Sequence, residues 1–371
     1  MLAAWNRLLD GPRFPIEAAS IGEIPLVASR ILIDRIDARL AALLGWLKPR
    51  LAQLDDPKWR AAPAADVLTA DLAIVDSPDS ELGWDLRWVE IQTFTSLVST
   101  IHTLHCAAAG VWPALRDLRF WGALPPDTDW LQATQRWMAP EPGSILLEND
   151  PWSQPTRPDF EAARRWFGVI VTEPSSLRAE AGQLARIDDN GRQQPVPHVA
   201  NRLILHETPA QAEIESLLSS VSPGWNSHPA WYYAIDKGVM PDLPLPPAER
   251  CARGDRWREL DLPAEALVAK QCHSHSGRGV KLHLDADVLD ALASPQDWIV
   301  QPRFSPAPQL HARDGAPLYP ELRCIVALPR NGAEPWLVCR LARMSRSPMV
   351  ATGNWSGAAG EGAVPVYAPP A

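Results

Sequence analysis

The sequence predicts an α/β protein with mixed β-sheets, flanking helices and an inserted α/β unit, and three observations carry that expectation. Between 125 and 207, strand-like runs alternate with a helix-like run, the order that builds a largely parallel sheet. Before residue 95 and again after residue 265, apolar runs of strand length come in succession, separated by turn residues. Ahead of both, residues 24–54 place apolar side chains at helical spacing. A chain of 371 residues suits two or three packed units rather than one small core.

The elements follow in order. IPLVASRILIDRIDARLAALLGWLKPRLAQL predicts one or two amphipathic helices stopping near Pro49, within a helical segment 1–66 that packs on the sheet behind it. DVLTADLAIVD and LRWVEIQTF, joined by a turn rich in Ser, Pro, Asp and Gly, predict a hairpin. With a helical stretch over 97–121 they make a unit spanning 67–122. A central α/β domain, 123–230, contains SILLEND, DFEAARRWFGV, VIVTE, a second hairpin at Asp189-Asn190-Gly191, and VANRLILHE. The next unit, 231–320, includes the proline-rich break MPDLPLPPAER and the strands EALVAKQ and WIVQPRF, with HSHSGRGV as a flexible loop between them. ELRCIVAL and PWLVCRLARM, in a C-terminal unit 321–371, are expected to join them in a mixed sheet.

Composition narrows the function classes. Hydrophobic residues are 46% and charged residues 21%, enough to bury a core. A net charge of -9 gives no general attraction to nucleic acid or anionic membranes, so neither is expected as a partner. Five cysteines without CxxC spacing argue against a zinc ribbon and a disulfide framework, and fit a reducing compartment. The opening MLAAWNRLLDGPRFPIE lacks the apolar core of a signal peptide, and no later run reaches membrane-spanning length; a cytoplasmic protein is expected. The 17 Trp and 38 Pro are scattered and form no repeat.

Two constellations carry chemistry. Asp71 lies on one strand of the first hairpin, and Glu90 with Gln92 on the other. Alternation points Glu90 and Gln92 the same way, and Asp71 can meet them across the pair. Magnesium takes hard oxygen ligands of this kind alongside nucleotide phosphates; an exposed polar hairpin face is the other reading, and spacing alone leaves both open. The second constellation is Lys270 at the end of an apolar strand, followed by Ser274-His275-Ser276-Gly277-Arg278-Gly279. Glycines let the backbone approach phosphate oxygens, and the lysine adds a point charge. This is not a Walker loop, and an ordinary hairpin loop stays open beside it.

Taken in order, these pieces resemble the ATP-grasp superfamily. AIDKGVMPDLPLPP is similar to the segment in which a lysine, here Lys237, precedes a proline-containing link into the nucleotide-binding subdomain. ALVAKQCHSHSGRGV resembles the family's lysine strand and phosphate loop, and WIVQPRF its adenine-contacting strand and hinge, with Gln301 and Arg303. ELRCIVAL and LVCRLARM resemble strands that bring arginines to the phosphates and acyl substrate: Arg323 and Arg343 in catalytic roles, Arg340 toward substrate. The usual acidic residue before Asn354 is missing from GNWSGAAGEGAV. In the circularly permuted, glutathionylspermidine synthetase-like branch, an acidic strand and a Glu-x-Asn strand come early, ahead of a Thr-Ser-Leu stretch. ADLAIVD and WVEIQTFTSL look like those strands, with Gln92 in the asparagine position and Ser96 in the stretch behind it. The resemblance is clear over 230–350.

It implies an ATP- and magnesium-dependent ligase. The γ-phosphoryl group passes to a carboxylate, and an amine or peptide nucleophile attacks the acyl phosphate. In that picture Lys237, Lys270, Ser276, Gly277, Arg278, Gly279, Gln301 and Arg303 bind ATP; Asp71, Glu90 and Gln92 hold magnesium; and Ser96, Arg340 and Asn354 meet substrate. A phosphotransferase, or a nucleotide- or partner-binding protein without catalysis, are the other classes. Glu321 and Arg323 share a strand face, where a structural ion pair is an equal alternative. His102 and His105 are expected in helix packing or at the surface rather than in a metal site, and the aromatics of WNSHPAWYY at a domain junction in preference to stacking on a substrate. For His273 and His275, flanking the loop, solvent exposure and phosphate contact are equally open. Ser175 and Ser176 have no GxSxG context.

Overall fold

The computed structural model describes residues 25–54, 56–59, 62–125, 127–154, 156–274, 277–330, 332–349 and 360–369, with residues 4, 5, 8, 22 and 358. Chain order begins with strand β1 (Leu26–Val27) and helix α1 (Arg30–Leu51). Ser29 caps α1, its side chain accepting from the Leu32 amide, and Leu32, Ile33, Ile36, Leu40, Leu43 and Leu47 bury one stripe at helical spacing. One helix forms where one or two were expected, and it passes Pro49 by two residues.

Strands β2 (Val67–Asp76) and β3 (Trp84–Gln92) make the expected antiparallel hairpin, followed by α2 (Val98–Val111). Then come α3 (Trp130–Met138), β4 (Ile145–Leu147), α4 (Arg157–Phe167), β5 (Ile170–Thr172), β6 (Leu177–Glu180), β7 (Gln183–Ile187), β8 (Gln193–Pro195), β9 (His198–Asn201), α5 (Gln211–Ser219) and β10 (Gly224–Asn226). Here the alternation builds what it predicts: β10, β9, β4 and β5 form a four-stranded sheet, parallel at every pairing. The second predicted hairpin is β7–β8, extended by β6 into a small sheet of its own.

The last third carries β11 (Ala252–Arg253), β12 (Leu267–Gln271), β13 (Val280–Lys281), β14 (Trp298–Pro302), β15 (Leu310–His311), β16 (Pro317–Ala327), β17 (Trp336–Ser345) and β18 (Gly362–Tyr367). The four strands expected in one mixed sheet divide between two. β12 and β14 lie in a four-stranded antiparallel sheet with β11 and β13, whereas β16 and β17 join a seven-stranded sheet ordered β1-β18-β17-β16-β2-β3, with β15 on β16. That large sheet is mixed through its parallel β1–β18 pair. It unites the early hairpin with late strands, because β2 pairs with β16. One face packs on α1 through Leu72, Trp88, Leu322 and Ala342. The other is covered over part of its length by α2, α3 and α4, through Ile101, Trp130 and Phe160 on Ile325 and Leu341.

A bulge in β3 decides what the uncovered part presents. Asp71 stands opposite Glu90, but the next residue, Leu72, stands opposite Trp88, so Val89 is extra. In an unbroken strand Trp88 and Glu90 would share a face. One inserted residue reverses the parity, letting Trp88 enter the core while Glu90 turns to the other side.

Candidate active site

A cleft of about 500 Å³ lies between the seven-stranded sheet and the small antiparallel sheet. Alternation sets its walls. In β12, Leu267 and Ala269 enter the small sheet's own core, while Val268 and Lys270 face the cleft. Gln301, opposite Val268, joins them from β14. On the large sheet, Tyr319, Glu321 and Arg323 share one face of β16 at every second position, and Arg343 stands opposite Glu321. Gly277, Arg278, Arg303 and Lys237 also line the cleft, so five of its lining side chains are cations and two, Glu90 and Glu321, are acids.

Both lysines are held by backbone carbonyls. Lys237 Nζ donates to the carbonyls of Cys272 at 3.0 Å and Ser274 at 2.5 Å, and lies 3.9 Å from Glu90 Oε2. Lys270 Nζ donates to the carbonyl of Val89, the bulge residue, at 2.9 Å. Burial pulls the Lys270 pKa down to about 8, against the opposing pull of Glu90. Beyond β12, Gly277 and Gly279 take left-handed φ of 77° and 66°. A Cβ at Gly279 would meet the Gln271 side chain at 2.8 Å, so the turn needs glycine there twice over.

On the large sheet the charges pair. Asp71 is fully buried, and Arg323 grips it with Nε to Oδ1 at 2.8 Å and Nη2 to Oδ2 at 2.6 Å. Arg343 Nη2 donates to the same Oδ2 at 2.7 Å and to Glu321 Oε1. Arg323 Nη1 reaches Ser96 Oγ at 2.6 Å. Burial pushes the Asp71 pKa up, but the two guanidinium charges more than reverse this and hold it at about 2. Glu90 lies 3.6 Å from Arg323, outside hydrogen-bond distance, and is one-fifth exposed to the cleft. Two buried cleft atoms lack any partner among the described residues: Gln301 Oε1 and Arg343 Nε.

The sequence-predicted residues thus distribute unevenly. Lys237, Lys270, Gly277, Arg278, Gln301, Arg303, Glu90 and Arg343 all line the cleft. Asp71, Arg323 and Ser96 form the hydrogen-bonded network beneath it. Gly279 sits in the turn beside it, and Gln92 pairs with Thr69 one step along the strand, outside the lining. Arg340 is a correction: three positions before Arg343, it points through the opposite face and pairs with Asp37 of α1 at 2.6 Å. The Arg323–Glu321 ion pair left open as an alternative does not form, since Arg323 pairs with Asp71 and Glu321 with Arg343. Ser276, His275 and Asn354 lie outside the described residues. The three predicted magnesium ligands do not assemble in this arrangement, because both Asp71 oxygens are occupied by arginine donors.

Sequence reasoning passed over Phe304, Tyr319 and Met349, which line the cleft. Tyr319 was open to discovery from the strand period, two residues before Glu321. His102 stacks on Trp130 at 4.7 Å, in helix packing as expected, and His105 meets the Tyr367 hydroxyl at 3.1 Å. His273 binds Asp236 at 3.1 Å, which raises its pKa. Trp231 is buried, with its Nε1 donating to the carbonyl of Pro63 at 2.9 Å. Among the described residues, no helix is long and apolar enough to cross a membrane.

No protein-family model and no curated protein matches the chain. Among solved structures, a glutathione synthetase-like effector from Globodera pallida, in its apo form, superimposes with a TM-score of 0.55. The match covers 99% of this chain and 95% of that one at 11% identity. The fold is glutathione synthetase-like. A protein provisionally assigned as a gamma-glutamylcysteine synthetase, from Methylobacillus flagellatus KT, gives a TM-score of 0.41 at 13% identity, over 92% of this chain and 89% of that one.

Proposed function

We propose that the protein is an ATP-dependent ligase that joins a small-molecule carboxylate to an amine or peptide through an acyl phosphate. The observation that carries this reading is the cleft itself, where cations from both sheets converge on a space bordered by buried, unpartnered Gln301 Oε1 and Arg343 Nε. Buried polar atoms without partners are rare in folded proteins, and at a cleft wall a water, an ion or a ligand can complete their bonding. At about 500 Å³ the cleft has room for a nucleotide, with Val268, Val280, Leu282 and Phe304 offering apolar contact for a base and the lysines meeting the phosphates.

In the reaction, negative charge spreads over the phosphoryl oxygens as the γ-phosphate moves to the carboxylate. Lys237, Lys270 and Arg343 oppose that charge from fixed positions, and no protein nucleophile takes part. The amine then displaces phosphate from the acyl group. Magnesium, accompanying the nucleotide, would supply further charge neutralisation, and of the two cleft acids Glu90, which accepts no arginine hydrogen bond, is the one that would receive it, Glu321 being taken by Arg343. The predicted set of Asp71, Glu90 and Gln92 does not fit the metal as it stands, because arginine donors take both Asp71 oxygens.

Asp71's engagement by two arginines supports a second reading, nucleotide binding without catalysis. One experiment separates the two. ATP should raise the melting temperature by mass action, and a screen of amino acids, polyamines and small peptides with carboxylates should find one combination that releases ADP. Stabilisation without turnover would favour the binding protein. No thermal shift at millimolar ATP would defeat both.

A further inference from the structure

The predicted magnesium set and the observed ion pairs make incompatible demands on Asp71. We propose that Asp71 is a positioning residue that clamps Arg323 and Arg343 beneath the cleft, and that it is not a ligand of a divalent cation; this rests on the cleft being the nucleotide site. Three guanidinium hydrogen bonds of 2.6–2.8 Å occupy its two oxygens. Strand register delivers them: Asp71 stands directly opposite Arg323, and Arg343 comes from the next strand, one row along. Ser96 fixes the far edge of Arg323, and Glu321 accepts from the same Nη2 of Arg343 that Asp71 holds.

Turning Asp71 to a metal would undo all of this. A doubly positive ion would then sit beside two guanidinium groups that had just lost their shared counter-charge in a buried place, and isolating buried charges is among the costliest changes a protein can undergo. Glu90 has no such obligation. Its nearest cations, Arg323 and Lys237, stand at 3.6 and 3.9 Å, so it can take a metal without breaking a hydrogen bond. The clamp also leaves Arg343 with a buried, unpartnered Nε at the cleft wall. An arginine held through Nη2 alone keeps donors with which to meet an anion.

The test uses the full chain, wild type, Asp71→Asn and Glu90→Gln, with ATP titrated calorimetrically in EDTA and again with manganese(II). Removing a negative charge beneath the phosphates would by itself tighten anion binding. The proposal predicts the opposite sign: ATP binding in EDTA weakens about tenfold in Asp71→Asn, because the arginines lose their orientation. The gain in affinity from manganese should survive in Asp71→Asn and vanish in Glu90→Gln. ATP binding in EDTA that is unchanged or tighter in Asp71→Asn overturns the proposal, as does loss of its manganese gain. If wild type binds no ATP in either buffer, the functional reading fails instead. The ligand-free melting temperature then decides Asp71: a fall of roughly 5 °C or more in Asp71→Asn keeps the clamp, and no fall removes it. Should Asp71→Asn not fold, adding Arg323→Gln removes the stranded charge and restores folding; a double variant no more stable than the single one counts against the clamp.

Discussion

The two walls of the cleft hold their cations in different ways. On the small-sheet side, Lys237 and Lys270 are oriented by the carbonyls of Cys272, Ser274 and Val89. On the large sheet, Arg323 and Arg343 are oriented by the carboxylates of Asp71 and Glu321. A carbonyl aims an ammonium group without cancelling its charge, whereas a carboxylate aims a guanidinium and neutralises it. The lysine wall therefore keeps more of its positive potential, and the arginine wall supplies chiefly geometry. The pKa directions agree: burial with incomplete compensation brings Lys270 down to about 8, while Asp71, overcompensated by arginine, is held at about 2.

The largest effect should come from breaking the neutralised wall. Arg323→Ala leaves Asp71 buried with only part of its counter-charge, and breaking a buried pair costs about 3–5 kcal/mol. Urea unfolding should show that loss as a lower midpoint at unchanged slope. Acid offers a second handle on the same pair. Because the folded pKa of Asp71, about 2, lies below its ordinary 3.8, its contribution is complete above pH 3.8 and disappears as the pH falls through 2. Wild type and Arg323→Ala should thus differ near pH 5 and converge toward pH 2. A constant difference across that range would mean that Arg323 stabilises by packing, and the contrast between the walls would lose its basis.

Much of this contrast was legible in the sequence, and the illegible part has a physical cause. Strand period placed Glu321 and Arg323 on one face and identified Lys270 at a strand end, because alternation depends on local backbone alone. The same rule should have separated Arg340 from Arg343, whose odd spacing sends them to opposite faces; reading both as arginines of one site ignored it. The Val89 bulge is fainter. Its trace is that the buried apolar positions Leu86, Trp88 and Ile91 break the two-residue step, which shows a parity change without saying which residue is extra. Partner choice could not be read at all. Asp71 and Arg323 are 252 residues apart, and whether a buried aspartate meets a metal or an arginine is decided by pairing of β2 with β16. The separation of β12 and β14 from β16 and β17 was hidden for a related reason: strand propensity identifies strands, but not the sheet they join.

Lys270→Met should act oppositely on stability and binding. A buried ammonium whose pKa is driven from 10.5 to about 8 is penalised in the folded state. Replacing it with an apolar chain of similar length should stabilise the ligand-free protein by about 1–2 kcal/mol after the lost bond to Val89. ATP affinity should fall tenfold or more, as one uncompensated cation leaves the cleft. The sign with pH is set by the lowered pKa. Between about pH 8 and 10.5 the folded chain releases a proton that the unfolded chain retains, so wild type gains stability on Lys270→Met across that window. Melting curves from pH 7 to 10 would show it, and parallel curves would mean that the Lys270 charge is already compensated.

The smallest effect on stability belongs to Arg278, where the two kinds of wall give way to solvent. Its guanidinium meets Glu207 at 3.2 Å, but the two side chains are 71% and 38% exposed. Exposed pairs of this kind contribute little because water screens them and ordering two long side chains costs entropy. Arg278→Ala should therefore change unfolding free energy by no more than about 0.5 kcal/mol, with the difference shrinking further in 0.5 M salt. Its ATP affinity is the informative number. Arg278 lines the cleft beside Gly277, so a nucleotide whose phosphates reach the loop should bind several-fold more weakly to the variant, most clearly at low salt. Unchanged affinity together with unchanged stability would exclude Arg278 from the phosphate contacts. The glycine-flanked turn would then serve only to carry the chain from β12 to β13.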